Sequence, residues 1–237
     1  MLYIVPTPIG NLRDITLRAL DVLKAADVIA CEDTRRTQTL LTHYQVTGQD
    51  GKPPRLVSFH DHSSPQKVLE IVRWLEEGRT VALVTDSGTP LISDPGFPLL
   101  REVIQRGIRV EALPGPSALV TALSVSGLPA ESFSFFAFLP PKSASRKKKL
   151  EELRERKETL IFYEAPHRLE QVLEDMHAVF GDREAVVARE LTKKFEELVR
   201  GTLTGLVEAF KQKKPQGEIV ILVAGNERKR VFGEKPA

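Results

Sequence analysis

Up to about residue 112 the chain repeats one pattern: a short apolar run, a polar loop, then apolar residues at helical spacing. The apolar runs at 2–5, 28–31, 55–59, 81–84 and 108–112 predict short buried strands. Leu17, Leu20 and Leu23 form an apolar stripe that predicts a helix over 16–26, and a second helix is expected from about Asp33. Ser64 and Pro65 open a third, as N-cap and first-turn proline; Val68, Leu69, Val72 and Leu75 form its buried stripe, and Gly78 ends it. Strands alternating with helices at this spacing predict a mostly parallel sheet with helices on both faces.

The corner Leu113-Pro-Gly-Pro-Ser-Ala118 is stiff and reads as a hinge. It divides the chain into a first α/β domain, 1–112, and a second, 113–226. In the second, 118–125 is a small, apolar helix and 133–138 an aromatic strand. Further strands are expected at 160–163, 185–188 and 218–224, with helices from about Ser145, His167 and Thr202. The short spacing from 185–188 through 195–199 predicts a hairpin, hence a mixed sheet. The charged, Pro/Gly-bearing residues 227–237 are expected to form a flexible tail.

Composition narrows this only at the margins. With 237 residues, 41% hydrophobic and 28% charged, the chain has the make-up of a globular α/β protein. A net charge of +2 neither requires nor excludes nucleic acid. A lone cysteine, Cys31, excludes an intrachain disulfide and a cysteine-based zinc site, and no other metal-ligand set stands out. The start, Met1-Leu-Tyr-Ile-Val-Pro-Thr-Pro, lacks the basic segment and long apolar stretch of a signal peptide. No apolar run reaches membrane-spanning length, so a cytoplasmic location and no membrane association are expected.

The candidate chemistry lies at predicted strand ends. After the run 81–84 comes Thr85-Asp-Ser-Gly-Thr-Pro-Leu-Ile-Ser-Asp-Pro-Gly96, a Gly- and Pro-shaped loop decorated by Asp86, Ser87, Thr89, Ser93 and Asp94. Such a loop can present backbone groups to a ligand, and that sheet edge is where open α/β sheets bind small molecules. The loop after the first strand, Pro6-Thr-Pro-Ile-Gly-Asn11, is rigid. It carries no Gly-x-Gly-x-x-Gly, and no Lys-Ser/Thr follows a Gly-rich loop, which argues against dinucleotide and P-loop enzymes. Glu32-Asp-Thr-Arg-Arg36 follows the second strand; its acids can cap the next helix and its arginines can grip phosphate. Phe162-Tyr-Glu-Ala-Pro-His-Arg168 repeats that design, with Arg168 as a phosphate clamp near a helix N-terminus. Arg189, Glu190, Lys193 and Lys194 make a third polar cluster. The tract Lys142-Ser-Ala-Ser-Arg-Lys-Lys-Lys149 is the clearest electropositive feature, suited to an RNA backbone. Lys211 and Lys214 read instead as the end of a helix.

Taken in order, Val5-Pro-Thr-Pro-Ile-Gly-Asn-Leu12, Glu32-Asp-Thr-Arg35, Ser87-Gly-Thr-Pro-Leu-Ile-Ser-Asp-Pro-Gly96, Leu113-Pro-Gly-Pro-Ser-Ala118, Phe162-Tyr-Glu-Ala-Pro-His-Arg168 and Arg189-Glu-Leu-Thr-Lys193 resemble one family over essentially the whole chain. It is the group of small-subunit ribosomal RNA 2′-O-ribose methyltransferases acting on a cytidine of the decoding region. That group lies within the tetrapyrrole methylase-like class of S-adenosylmethionine enzymes. Where related methylases carry Gly-Asp-Pro, this chain has Gly88-Thr-Pro90, the form of the RNA branch.

The resemblance implies two α/β domains with the cofactor in the cleft between them, a homodimer, and 16S rRNA, within the small ribosomal subunit, as substrate. It implies Pro8, Asp86, Gly88, Leu91, Ser117, Ala118, Tyr163, Leu191 and Gly217 near S-adenosylmethionine and its product S-adenosylhomocysteine. Glu32, Asp33, Glu164 and Glu190 are candidate bases for the ribose hydroxyl and Lys193 a candidate alkoxide stabiliser, while alignment with no dedicated base stays open. Arg35, Arg36, Arg168, Arg189, Lys147, Lys148 and Lys149 are candidate RNA contacts. The alternatives are a methylase of the same fold acting on a tetrapyrrole precursor and a non-catalytic RNA-binding adaptor.

Overall fold

The structure, a computed structural model, describes residues 1–48, 51–211, 213 and 215–226. The expected tail at 227–237, and Lys214 of the expected helix end, lie outside these. The chain forms two compact units, Met1–Ser117 and Ala118–Ala237. Residues 113–117 belong with the first: the Leu113 N–H bonds Ile4 O at 3.0 Å, and the Leu113 side chain joins that unit's core.

The first unit runs β1 (Leu2–Ile4), α1 (Leu17–Ala25), β2 (Val28–Cys31), α2 (Thr34–His43), β3 (Arg55–Ser58), α3 (Pro65–Glu76), β4 (Val81–Val84), α4 (Phe97–Gln105) and β5 (Val110–Ala112). The strands lie in the order β3-β2-β4-β1-β5, every neighbouring pair parallel. Successive side chains of a strand face opposite ways, so each strand feeds two cores. Leu2, Ile4, Val28, Ala30, Val81 and Leu83 pack with α3 and α4; Val5, Ile29, Cys31, Ala82 and Val84 pack with α1 and α2. Fully buried strands of this kind are the near-continuous apolar runs visible in the sequence.

Helix starts follow local chemistry. Thr16 caps α1 through Ala19 N, Asp33 caps α2 through Arg35 N, and Ser64 caps α3 through Lys67 N with Pro65 in its first turn. Helix α4 has no counterpart among the predicted elements. Its buried residues are Leu99 and Val103. Its N-cap, Gly96, has no side-chain cap, and Pro98 lies in its first turn, so its start carries no Ser, Thr or Asp signal and merges with the Gly/Pro loop before it.

The second unit runs α5 (Ala118–Ser126), β6 (Phe133–Phe138), α6 (Ser143–Leu153), β7 (Thr159–Glu164), α7 (Leu169–Phe180), β8 (Glu184–Arg189), β9 (Glu197–Thr202), α8 (Leu203–Lys211) and β10 (Ile219–Val223). Its sheet is mixed, in the order β6-β7-β10-β8-β9; only β6 and β7 are parallel, and β8 and β9 form the hairpin. Leu160, Phe162, Val187 and Ile221 on one face pack against α6, α7 and α8, and α5 meets β8 and β10. A short 3-10 turn, Pro166–Arg168, precedes α7, so that helix starts later than the expected His167. No helix among the described residues is long and apolar enough to cross a membrane.

Candidate active site

In the first unit, the crossover from β1 leads past β4 to β2, and that from β4 leads past β1 to β5, in opposite directions. At such a switch point the carboxyl ends of the strands open a crevice for ligands. The loop after β1 and the loop after β4 meet there as a two-residue bridge. Thr7 N–H bonds Gly88 O at 2.9 Å and Gly88 N–H bonds Thr7 O at 3.0 Å. Thr7 Oγ1 donates to Thr85 O at 3.0 Å, and Thr89 Oγ1 donates to Pro116 O at 2.9 Å. Gly88 (φ 89°) and Ser117 are thereby drawn to one corner.

Leu91 and Ser93 hold positive φ values of 75° and 67°, conformations unfavourable for residues with a side chain.

The acidic residues of this edge differ sharply. Asp33 is the α2 cap, with Arg35 Nη2 2.7 Å from its Oδ2. Those Arg35 hydrogen bonds hold its carboxyl down at about 2, which makes it a weak base. Asp86 Oδ1 accepts Asp33 N–H at 3.1 Å, and Arg36 Nε lies 3.4 Å from its Oδ2. Glu32, half-buried, accepts from the Thr85 hydroxyl at 3.2 Å. Asp94 stands out: burial, opposed by the Thr85 hydroxyl and reinforced by the carboxylates of Glu32, Asp86 and Asp61, pushes it up to about 6. Asp94 was only one polar residue among several in its loop when read from sequence. The available signal was an acid beside Pro95-Gly96, where the chain has to turn back under the sheet edge.

In the second unit, the loop after β8 gathers Glu190, Leu191, Lys193 and Gly217. Glu190 (φ 52°) and Thr192 (φ 66°) are again strained. Glu190 Oε1 accepts Lys193 Nζ at 2.8 Å and Glu218 N–H at 2.9 Å, while Leu191 is buried. The Glu190 carboxyl sits below its ordinary range, Lys193 and the Glu218 N–H outweighing burial; Lys193, shared with Glu218 at 3.1 Å, is raised. On β7, Tyr163 packs edge-on against Phe135, with ring centres 4.8 Å apart. Glu164 is buried, accepts Ala165 N–H at 2.7 Å, and leaves Oε2 without a hydrogen bond among the described residues; burial raises its pKa.

Four expected RNA contacts of the second unit are otherwise engaged. Arg168 lies 3.1 Å from Glu164 Oε1 and donates to Leu139 O at 2.7 Å, so it braces a buried carboxylate instead of presenting an open clamp. Arg189 pairs with Glu197 at 3.1 Å and bonds Gln216 O. Within the basic tract Arg146 is 1% exposed and locked on Asp175, which Lys147 also reaches at 3.3 Å. Lys149 pairs with Glu152, and among the described residues Lys142 and Lys148 are the exposed cations of the tract without an ion-pair partner.

The sequence profile of the tetrapyrrole (corrin/porphyrin) methylases matches residues 1–207. A Vibrio cholerae serotype O1 protein named ribosomal RNA small subunit methyltransferase I is 51% identical over 95% of this chain and 77% of its own. A Halalkalibacterium halodurans protein of the same name is 48% identical over 96% and 77%. The chain belongs to the tetrapyrrole methylase family, in its ribosomal RNA small subunit methyltransferase I group. The crystal structure of the methyltransferase CobJ shares the fold, with a TM-score of 0.68 over 98% of this chain and 96% of its own, at 17% identity.

The Gly88 corner offers a cradle of backbone groups, between loops joined by the Thr7–Gly88 bridge. A Cβ built on Gly88 would lie 3.4 Å from Ile9 Cγ2 and 3.9 Å from Pro116 O, and its φ of 89° suits glycine. The chemistry of this corner fits a methyl donor held mainly by main-chain contacts.

Proposed function

We propose that this protein transfers a methyl group from S-adenosylmethionine to the ribose 2′-oxygen of a cytidine in 16S rRNA. The observation that carries the reading is its near-end-to-end likeness to proteins named as small-subunit rRNA methyltransferases. The stapled loops at the carboxyl edge of the parallel sheet support it.

When bound, the donor supplies an electrophilic methyl on a sulfonium. Gly88, Leu91 and Ser117, with Ala118, Tyr163, Leu191 and Gly217, are the residues proposed to hold it, while Pro8 and Asp86 line the adjoining cavity. The protein's own part is to fix the ribose hydroxyl and receive its proton. Glu32 and Asp94 are assigned that part. A carboxyl with a pKa near 6 is a better acceptor than an ordinary one and is still ionised at pH 7. Asp33 serves as a helix cap. Glu190 serves to hold Lys193, whose ammonium can stabilise a developing alkoxide. Glu164, with its unbonded oxygen, braces Arg168. Arg35, Arg36, Lys147, Lys148 and Lys149 are the exposed or part-exposed cations proposed to meet RNA. The reading also includes a homodimer, a cytoplasmic setting and the small ribosomal subunit as substrate. A tetrapyrrole precursor would rest on the fold alone.

The test is incubation with labelled methyl donor and small subunits lacking the modification, followed by nucleoside mapping. One labelled 2′-O-methylcytidine is expected. Label on a base, or transfer to a tetrapyrrole precursor with none to RNA, overturns the reading.

A further inference from the structure

Beside the Gly88 corner, wholly within the first unit, lies a cavity of about 140 Å³ walled by Pro8, Leu12 and Leu40, with Thr37, Arg36 and Asp86 among its polar lining. Pockets that enclose a drug-sized ligand run to roughly 300–1,000 Å³. This one suits a single flat ring, not a macrocycle or a whole nucleoside.

We propose that it seats the base of the target nucleotide and reads it as cytosine, Asp86 accepting the exocyclic amine and Arg36 donating to the neighbouring ring acceptors. The inference rests on the rRNA reading above and adds to it how the base is chosen.

The polarity of the pair carries the argument. Asp86 is held in one orientation, because the Asp33 N–H bonds Oδ1 at 3.1 Å and leaves Oδ2 on the Arg36 side. The pocket therefore offers a fixed acceptor beside a donor. Cytosine presents an amine donor beside N3 and O2 acceptors, the complement of that pair, and a carboxylate accepting from the cytosine amine is an established form of base readout. Uracil presents an O4 acceptor beside an N3–H donor and would set its O4 against a carboxylate. Adenine shares cytosine's amine-beside-ring-nitrogen order but lacks the O2 acceptor, so it would leave Arg36 one partner short. Arg36 sits 3.4 Å from Asp86, and its side chain is 65% exposed, so it can swing to admit a ring between the two. The apolar walls supply the faces on which an unstacked base can pack.

Replacing Asp86 by Asn tests this without changing shape. The Asp33 N–H still needs an oxygen at the Oδ1 position, so the amide nitrogen takes the place of Oδ2 and the acceptor becomes a donor. Single-turnover methylation would be measured on small subunits rebuilt with C, U or A at the target position, and cofactor affinity by calorimetry. The wild-type protein is expected to favour C over U by roughly tenfold or more. D86N is expected to shrink or invert that ratio by a similar factor while cofactor affinity holds. R36M, an exposed site whose folding is secure, is expected to lower the rate on C more than on U.

An unchanged C-to-U ratio in both variants overturns the inference. So does a fall in cofactor affinity that matches the fall in rate, since the cavity would then serve the donor. If D86N does not fold, R36M decides alone. A wild-type protein that methylates no small subunit removes the rRNA reading and this inference together. A wild-type protein that methylates them with the ratio untouched in the variants removes only this inference.

Discussion

Gly217 leaves the space that Glu190 occupies. A Cβ built on Gly217 would overlap the Glu190 carboxylate, whose Oε1 accepts both Lys193 Nζ and Glu218 N–H. Gly217 also has a φ of 90°, a conformation costing roughly 1–2 kcal/mol for a residue with a Cβ. Gly217→Ala should therefore cost about 2 kcal/mol or more in denaturant unfolding and detach Lys193 from its carboxylate. Because part of that cost is a collision with one side chain, Glu190→Ala should relieve it. Strictly additive losses in the double mutant would show that the crowding is not what disfavours a side chain at 217.

The raised Asp94 makes a statement about pH. Its carboxyl moves from 3.8 when unfolded to about 6 when folded, so between these values the folded protein binds more protons. Stability should therefore fall as pH rises from about 4 to about 6, by at most about 3 kcal/mol and less where solvent reaches the group. Asp94→Asn should remove that slope and leave the protein more stable at pH 7. If Asp94 shares the proton-accepting role with Glu32, the same variant should lose the acid limb of the rate profile near pH 6. Unfolding midpoints across pH and a pH–rate profile check the two halves separately.

The two sheets and most helices were legible because fully buried strands and capped amphipathic helices write themselves into the chain as apolar runs and Ser, Thr or Asp starts. Helix α4 was not legible, since it begins at Gly96 without a capping side chain, straight out of the Gly- and Pro-rich loop, and nothing local marks its start. At the candidate site, residue types were legible and partners were not. Nothing local says that Arg146, in a run of lysines, turns inward to Asp175, or that Arg168 bonds carbonyls of residues 139 and 140. Those facts depend on contacts about thirty positions apart. The pKa of Asp94 was hidden for the same reason, because Glu32 and Asp61 approach it only in the folded sheet.

The Arg146–Asp175 pair should behave as a buried salt bridge. The two groups meet at 2.6 Å with side chains 2% and 8% exposed, and Arg146 also donates to Pro140 O and Pro141 O. Removing one partner leaves the other charge buried, a loss of about 3–5 kcal/mol. Arg146→Ala and Asp175→Ala should each cost that much in equilibrium unfolding. Arg146→Met with Asp175→Leu together should cost much less than the sum. A pair of single mutants costing under 1 kcal/mol would show that water reaches the site.

RNA binding should respond unevenly along the tract at 147–149. Each phosphate neutralised by a lysine contributes about 0.7–0.9 to the slope of log affinity against log salt. Lys147 is shared with Asp175 and Lys149 with Glu152, so each gives up part of its field before RNA arrives. Lys148 makes no such pair, and Lys148→Ala should lower the slope by close to one phosphate's worth. Lys147→Ala and Lys149→Ala should each lower it by less. Lys149 also lies 5.9 Å from the Phe136 ring centre, so its loss should slightly loosen α6 against β6 as well. Arg146→Ala should leave the slope unchanged in whatever fraction stays folded, because that charge never meets solvent. Titrations of a small-subunit RNA fragment at several salt concentrations give all four slopes. A triple lysine variant with the wild-type slope would remove the tract from the RNA-binding surface.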